Sequence, residues 1–332
     1  DCRTTCLDDE SCRETPDDPC TNDVCGLLDP PNLGRICTHE PVSAGEVCDY
    51  RDSDCDGEVD EGMVRSALAG PFRFTDGVLP AVEPSLAWNT VNYVVTWIED
   101  AGGGGGLWAR RLTAAAAPMG AAHRVDAAGR ARAPGAIWSP RAWAVAWLDE
   151  RRGGGAVDVR AAVLDTAAVR IGAEQVLTSA AARAEGRPAL GWDGSGLGVV
   201  WSDERLGSDL SEIWFARAGA DAVPDPAGEV RVTDAPGVSR EPRLAWTGTS
   251  WALAWIDGRD AAAPGEEQIL LAALDAAGVV AGSPVPLTTE ARAPHDLALV
   301  WNGGRLAVTW TDSRAGFDRV FLRVVDASGA GD

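Results

Sequence analysis

The chain has 332 residues and a net charge of −21, and all 29 of its basic residues are arginine. This length suits one repeat domain with a small additional domain, and the acidic balance disfavours nucleic acid and anionic lipid as partners. The sequence contains no stretch of about 18 or more apolar residues, so it predicts no transmembrane segment.

The N-terminal segment, residues 1–62, contains all eight cysteines together with eighteen acidic residues and four arginines. Few large apolar side chains are available for a core, so we predict an irregular domain held by four disulfides and followed by a linker at 63–70. A zinc module is the competing interpretation. Disulfides favour an extracellular, cell-surface or periplasmic location. The predicted disulfide cysteines are Cys2, Cys6, Cys12, Cys20, Cys25, Cys37, Cys48 and Cys55.

An acidic loop ends this segment. Its carboxylates alternate ahead of Gly57, as at the start of an EF-hand-like calcium loop, but Met63 stands where a bidentate Glu is usual. The ligands are all oxygen, which favours Ca²⁺ over copper or zinc; a solvated acidic linker is the alternative. The predicted ligands are Asp52, Asp54, Asp56, a backbone carbonyl near Glu58, and Asp60 or Glu61.

Residues 48–62 resemble the Cys-Asp-Gly-x-Asp-Asn-Asp-Cys-Asp-Gly-x-x-Asp-Glu element of secreted, modular proteins of myxobacteria and their relatives. That element is described as a metal-binding, copper-associated motif. Here Tyr50, Arg51 and Ser53 replace its Gly, variable and Asn positions. Upstream, residues 18–25 and 37–41 are similar to the cysteine-rich modules found beside it. The resemblance implies a secreted or cell-surface protein that binds a metal.

The remainder of the chain is a repeat built on five Trp-x8-Trp pairs. Successive second tryptophans lie 50, 54, 54 and 55 residues apart, and short apolar stretches separated by turn residues fill each period. This pattern predicts four antiparallel strands per repeat, the blade of a β-propeller, whereas a leucine-rich or helical solenoid would have a different period. The pairs are Trp88/Trp97, Trp138/Trp147, Trp192/Trp201, Trp246/Trp255 and Trp301/Trp310.

The predicted fold class is therefore all-β, a closed five-bladed propeller over residues 71–332 beside the small N-terminal domain. The fifth repeat has a third strand at 319–325 and too few residues after it for a fourth. Residues 72–77 match residues 230–235 of the third repeat, so we expect residues 71–76 to complete the last blade and close the ring. If the chain is a fragment, further blades would follow.

Two sets of repeated side chains have structural interpretations. Four repeats carry Trp-x-Asp-x-Arg, in which a bidentate ion pair would fix the turn between the second and third strands. The tryptophan pairs would form the core between blades. The predicted ion pairs are Asp149/Arg151, Asp203/Arg205, Asp257/Arg259 and Asp312/Arg314.

A partial ring of arginines precedes the blades, near the expected mouth of the central channel. Such a ring could hold an anionic ligand, or each arginine could pair with an acid in the neighbouring turn. Its members are Arg132, Arg187, Arg240 and Arg292.

A catalytic site would appear as departures from the repeat, and the departures are Glu83, Asp193, Glu241 and residues 294–296. They are scattered in the sequence, and the three histidines form no nucleophile or metal pattern. We therefore expect no enzyme, but a secreted or cell-surface binding or structural protein whose propeller binds a protein or glycan, with self-assembly open. The alternatives are a lectin-like propeller and a propeller glycoside hydrolase, which needs converging carboxylates.

Overall fold

The computed structural model describes residues 21–27, 35–41, 73–75, 79–99, 105–179, 182–207, 210–261, 263 and 265–331. The chain divides into two compact units, residues 1–73 and 74–332. The predicted calcium ligands, Asp52 to Glu61, lie outside the described residues, as do six of the eight cysteines. The calcium site, the disulfides and the secreted location therefore stay predictions. No helix in the described part of the chain could span a membrane.

In the first unit, an antiparallel hairpin is formed by β1 (Thr21–Leu27) and β2 (Arg35–Pro41). Its register places Cys25 opposite Cys37.

The second unit is an arrangement of five β-propeller blades, which confirms the predicted all-β, five-bladed fold. Each blade is an antiparallel meander of strands in chain order. Blade 1 contains β3 (Ala81–Trp88), β4 (Asn92–Glu99), β5 (Gly106–Thr113) and β6 (Pro118–Arg124). Blade 2 contains β7 (Ala131–Ser139), β8 (Ala142–Asp149), β9 (Asp158–Leu164) and β10 (Arg170–Val176). Blade 3 contains β11 (Ala184–Trp192), β12 (Leu197–Asp203), β13 (Glu212–Ala218) and β14 (Pro224–Arg231). Blade 4 contains β15 (Ser239–Trp246), β16 (Trp251–Asp257), β17 (Gln268–Leu274) and β18 (Val280–Pro286), and blade 5 contains β19 (His295–Trp301), β20 (Leu306–Asp312) and β21 (Arg319–Val325).

The core lies in the layers between consecutive blades. The second tryptophan of a pair is buried in blades 1 to 5, as predicted, and in blades 2 to 5 it lies in a core cluster shared with a neighbouring sheet. The first tryptophan differs, because it ends the inner strand beside a hairpin turn. Trp88, for example, is 41% exposed. The inter-blade core is therefore built on the second member of each pair.

Blade 5 has three strands in the described part of the chain. Its outer strand β21 buries Val325 towards blade 4 but leaves Val320, Leu322 and Val324 exposed on its other face. The side chain of Val320 is 76% exposed. One face of the last blade is therefore uncovered by the described residues.

Residues 73–75 are not in a strand, but Phe74 contacts blade 1. Its ring meets that of Trp97 edge-on at 5.5 Å, and its carbonyl accepts a hydrogen bond from Arg110 at 2.6 Å. In the same way, the carbonyl of Leu287, which follows the last strand of blade 4, accepts a bond from Arg323 of blade 5 at 2.5 Å. Phe74 thus contacts blade 1 as the end of a preceding blade would. Pairing of 71–76 with β21 stays a prediction.

Candidate functional site

The repeated Trp-Asp-Arg groups form structural clamps, as predicted. In blade 4 the indole of Trp255 donates to Oδ2 of Asp257 at 2.7 Å, and Arg259 Nε donates to Oδ1 at 2.7 Å. Burial alone would raise the pKa of Asp257, but the hydrogen bonds from Arg259 and Trp255 outweigh it and hold the pKa below its usual value. The same arrangement recurs at Asp149, Asp203 and Asp312. The side chains of these Trp-Asp-Arg groups therefore serve to pack the blades.

Asp193, one of the acidic departures, is also structural. It sits in a hairpin turn, where its Oδ1 accepts hydrogen bonds from the backbone of Ser195 and Gly196 at 2.7 Å each. Its Oδ2 is 2.7 Å from Arg217 Nη2. All of its acceptor capacity serves the turn, so Asp193 is not part of a site.

Each inner strand contains a β-bulge near its beginning. The pairing register shifts between Val82 and Ser85 in β3, and shifts of the same kind interrupt β7, β11, β15 and β19. A bulge turns a side chain out of the regular alternation of a strand, and bulges occur frequently beside functional sites. The residues at positive φ in these bulges are Glu83 (54°), Ala133 (50°), Gly186 (65°), Glu241 (52°) and Asp296 (55°).

Three of these five residues are the acidic departures Glu83, Glu241 and Asp296. Each lies five residues before the first tryptophan of its repeat, so they occupy equivalent positions on β3, β15 and β19. Positive φ is unusual for residues other than glycine, and such strained positions cluster at functional sites. The structure thus brings to one end of the inner strands a set of carboxylates that appears scattered in the sequence.

The surroundings of the three carboxylates differ. Glu241 accepts hydrogen bonds from Arg240 Nη1 at 3.0 Å and from the backbone N–H of Leu297 at 3.4 Å. Glu83 likewise accepts a bond from the backbone N–H of Ala133 in the next blade. Asp296 is largely exposed, with Nε2 of His295 4.0 Å from its Oδ2. Two carboxylates are therefore oriented by the neighbouring blade, and the third is open to solvent.

A cavity of about 240 Å³ lies between the inner strands, and all five blades contribute to its wall. Most of the wall is aliphatic or backbone, but Arg187 and Arg243 also line it. Arg187 directly follows Gly186 in the bulge of β11. The wall residues include Ser85, Gly135, Ile137, Leu190, Leu244 and Leu299. The cavity lacks fivefold symmetry, because each inner strand contributes different side chains to its wall.

The predicted arginine ring divides into two groups. Arg132 pairs with Glu150 at 2.6 Å, Arg292 lies 3.7 Å from Glu266, and Arg240 binds Glu241. These three follow the self-pairing interpretation, whereas Arg187 lines the cavity.

Arg243 was missed by the sequence reasoning. It lies three residues before Trp246, where the other repeats carry Ser85, Gly135, Ala189 and Ala298. That contrast between one arginine and four small residues was the available signal. Within the described residues, no group of three His, Cys, Asp or Glu side chains is arranged to hold a metal ion.

No protein-family profile matches the sequence, and no curated protein is similar to it. Among solved structures, the chain is similar to an endo-arabinase from Bacteroides thetaiotaomicron, with a TM-score of 0.48, 11% identity, and coverage of 75% of this chain and 95% of the other. It is also similar to a GH43 endo-arabinanase from Bacillus licheniformis (TM-score 0.43, 13% identity, 76% and 96% covered). A GH43_1 enzyme from Xanthomonas citri complexed with xylose gives a TM-score of 0.45 at 12% identity, with 77% and 91% covered.

The comparisons contradict the expectation that the chain is not an enzyme: the solved structures of similar fold are enzymes, glycoside hydrolases among them. At this identity the likeness shows the fold of this chain, not its activity. That expectation rested on treating the acidic departures as scattered. In the folded chain, three of them occupy equivalent bulges on inner strands.

Proposed function

We propose that the protein is a glycoside hydrolase whose site is the entrance of the central cavity. The observation that carries the proposal is the placement of Glu83, Glu241 and Asp296 at equivalent bulges of three inner strands. Hydrolysis of a glycosidic bond uses two carboxyl groups that flank the bond, one donating a proton and the other activating water or attacking the sugar. Carboxylates on different strands around one opening suit that requirement.

The hydrogen bonds of each carboxyl limit what it can do. Glu241 is oriented by Arg240 and by a backbone N–H, so it suits the role of a fixed base or nucleophile. Asp296 is solvent-accessible and next to His295, and it could exchange protons with a bound sugar and water. Glu83 faces Ala133 of blade 2 and would complete the set. The aliphatic wall below them would contact the C–H faces of a sugar ring.

The test is hydrolysis of a panel of plant and microbial polysaccharides and chromogenic glycosides, measured as reducing-sugar or chromophore release. We expect Glu241→Gln and Asp296→Asn each to lower kcat by about 10²- to 10⁴-fold, the usual contribution of a general acid or base. Both replacements keep an oxygen acceptor. In Glu241→Gln the bond to the Leu297 N–H can therefore persist, and the melting temperature of both variants should change little.

Glu150→Gln is the matched control, because Glu150 pairs with Arg132 away from the cavity. It should hydrolyse the same substrate at the wild-type rate. Absence of hydrolysis across the panel, or wild-type rates in both Glu241→Gln and Asp296→Asn, would reject the proposal.

A further inference from the structure

The cavity contains two arginines of unusual environment, Arg187 and Arg243. They come from adjacent inner strands, β11 and β15, and line the same wall as Leu190 and Leu244. Burial lowers the pKa of the Arg243 guanidinium, Glu241 and Asp296 act against this, and the nearby Arg187 adds to it. Two cations thus share one partly apolar space.

Neither guanidinium has a carboxylate within 4.0 Å in the described part of the chain. The hydrogen bond of Arg243 goes to the carbonyl of Pro242, at 2.9 Å. By contrast, each arginine of the Asp-Arg clamps and each other member of the arginine ring has an acidic partner. Because Arg243 is partly buried, its charge is costly without a counter-charge, and with the exposed Arg187 beside it the pair is poised for an anion from outside the chain.

The repeat shows that Arg243 is not needed to build the blade. Ser85, Gly135, Ala189 and Ala298 fill the equivalent position with small side chains, and their inner strands form all the same. The position points into the cavity, where a long side chain removes space and adds charge. A role in packing would recur in the repeat, whereas a role in recognition occurs once.

The chemistry of the pair indicates the kind of ligand. A guanidinium presents parallel N–H donors that match the two oxygens of a carboxylate. The volume of about 240 Å³ is below the range of about 300–1,000 Å³ typical of drug-sized ligands, which fits a single sugar unit. The leucine and isoleucine side chains in the wall suit the faces of a sugar ring.

We infer that Arg187 and Arg243 bind the carboxylate of a uronic acid residue, so that the enzyme acts on acidic glycans. This inference rests on the proposed function and specifies its substrate class. The uronate would lie in the cavity while the neighbouring glycosidic bond lies near Glu241 and Asp296 at the rim. A sulfated sugar carries the same charge, and the experiment separates the two.

The test is calorimetric titration with three short oligosaccharides of equal length: one with galacturonic or glucuronic acid units, its methyl ester, and a sulfated neutral sugar. We expect the acid to bind at least about tenfold more tightly than the ester. Arg243→Ala and Arg187→Ala should each weaken acid binding by about 10- to 100-fold, as expected for a lost charge-assisted hydrogen bond, and leave ester binding unchanged. Arg243→Lys should recover part of the loss.

Arg132→Ala is the control, since its guanidinium pairs with Glu150 outside the cavity, and it should bind all three ligands as the wild type does. Should an Arg243 variant fail to fold, the exposed Arg187 provides the independent variant. Equal affinity for acid and ester, or tighter binding of the sulfated sugar, would overturn the inference even if neutral glycans are hydrolysed. Selective acid binding that depends on both arginines, without hydrolysis of any glycan, would support the ligand class and reject the hydrolase.

Discussion

The layers between the blades differ from the central cavity in how regularly their side chains repeat. In the layers the same three side chains recur in the same arrangement, as where Trp255 and Arg259 converge on Asp257. At the cavity the repeat breaks, carboxylates occupy strained bulges, and Arg243 has no acidic partner within the described residues. The comparison indicates that repetition marks the residues that stabilise a propeller, and that departures mark the residues available to a ligand.

The largest effect is expected from breaking a clamp. Asp257→Ala would leave the buried indole N–H of Trp255 and the partly buried Arg259 without their acceptor. Removing one partner of a buried pair costs about 3–5 kcal/mol, and we expect the lower end because Arg259 is 29% exposed. Urea denaturation measures the loss.

Glu99→Ala is the matched comparison for this clamp. Glu99 takes the place of the aspartate in blade 1, where its contact with the Trp97 indole is 3.4 Å long and no arginine follows. Its cost should be clearly smaller. Equal losses would show that the arginine adds nothing to the clamp.

A second expected effect comes from crowding a layer. A Cβ on Gly191 would lie 2.5 Å from the Trp251 ring of the next blade. Gly191→Ala should therefore destabilise the protein by about 1–3 kcal/mol through overpacking. Gly304 has open space and an ordinary φ, so Gly304→Ala should stay within about 0.5 kcal/mol. Similar melting temperatures for the two variants would contradict this packing.

Acid should act on the layers through their aspartates. Hydrogen bonds from arginine and tryptophan hold the pKa values of Asp257 and Asp312 below their usual value, against the effect of burial. A group with a lowered folded-state pKa contributes full stability above its unfolded value, about 3.9, and loses it as the pH falls through the folded value. Melting temperature should thus decline below about pH 4, and the decline should be shallower in Asp257→Asn. An identical decline in that variant would exclude Asp257 as its origin.

The smallest effect on stability is expected at the cavity. Arg187 is exposed and has no acidic partner in the described part of the chain, so Arg187→Ala should change the free energy of unfolding by no more than about 0.5 kcal/mol. Chemical denaturation beside Asp257→Ala makes the comparison direct. A loss above about 2 kcal/mol would place Arg187 among the structural residues.

The sequence predicts the layers well, because they depend on spacing. Five constant Trp-x8-Trp pairs are enough to predict five blades, and the recurrence of Asp with Arg predicts the clamps. The third strand expected at 319–325 is β21.

The site was harder to predict because the bulges depend on pairing between strands. Glu83, Glu241 and Asp296 stand at one distance from their tryptophans, which the sequence displays, but alternation along a regular strand gives no reason to group them at a cavity. The strain at positive φ arises from the register shift with the neighbouring strand, and no residue type in the sequence indicates that shift. Arg243 can be identified from the sequence only by comparing the repeats position by position, because no local motif marks it.

The uncovered face of blade 5 has a consequence for the order in which the molecule opens and folds. In a repeat array each unit is stabilised by its neighbours, so a blade covered on both sides is more stable than one covered on a single side. Val320, Leu322 and Val324 lie on the open side of β21. Without a strand beside it, β21 should exchange its amide hydrogens with solvent first, and β12 and β16, in blades 3 and 4, should exchange last; slow exchange in β21 would instead indicate that residues 71–76 pair with it. By the same reasoning, folding should nucleate in the middle of the array and spread outward to the terminal blades.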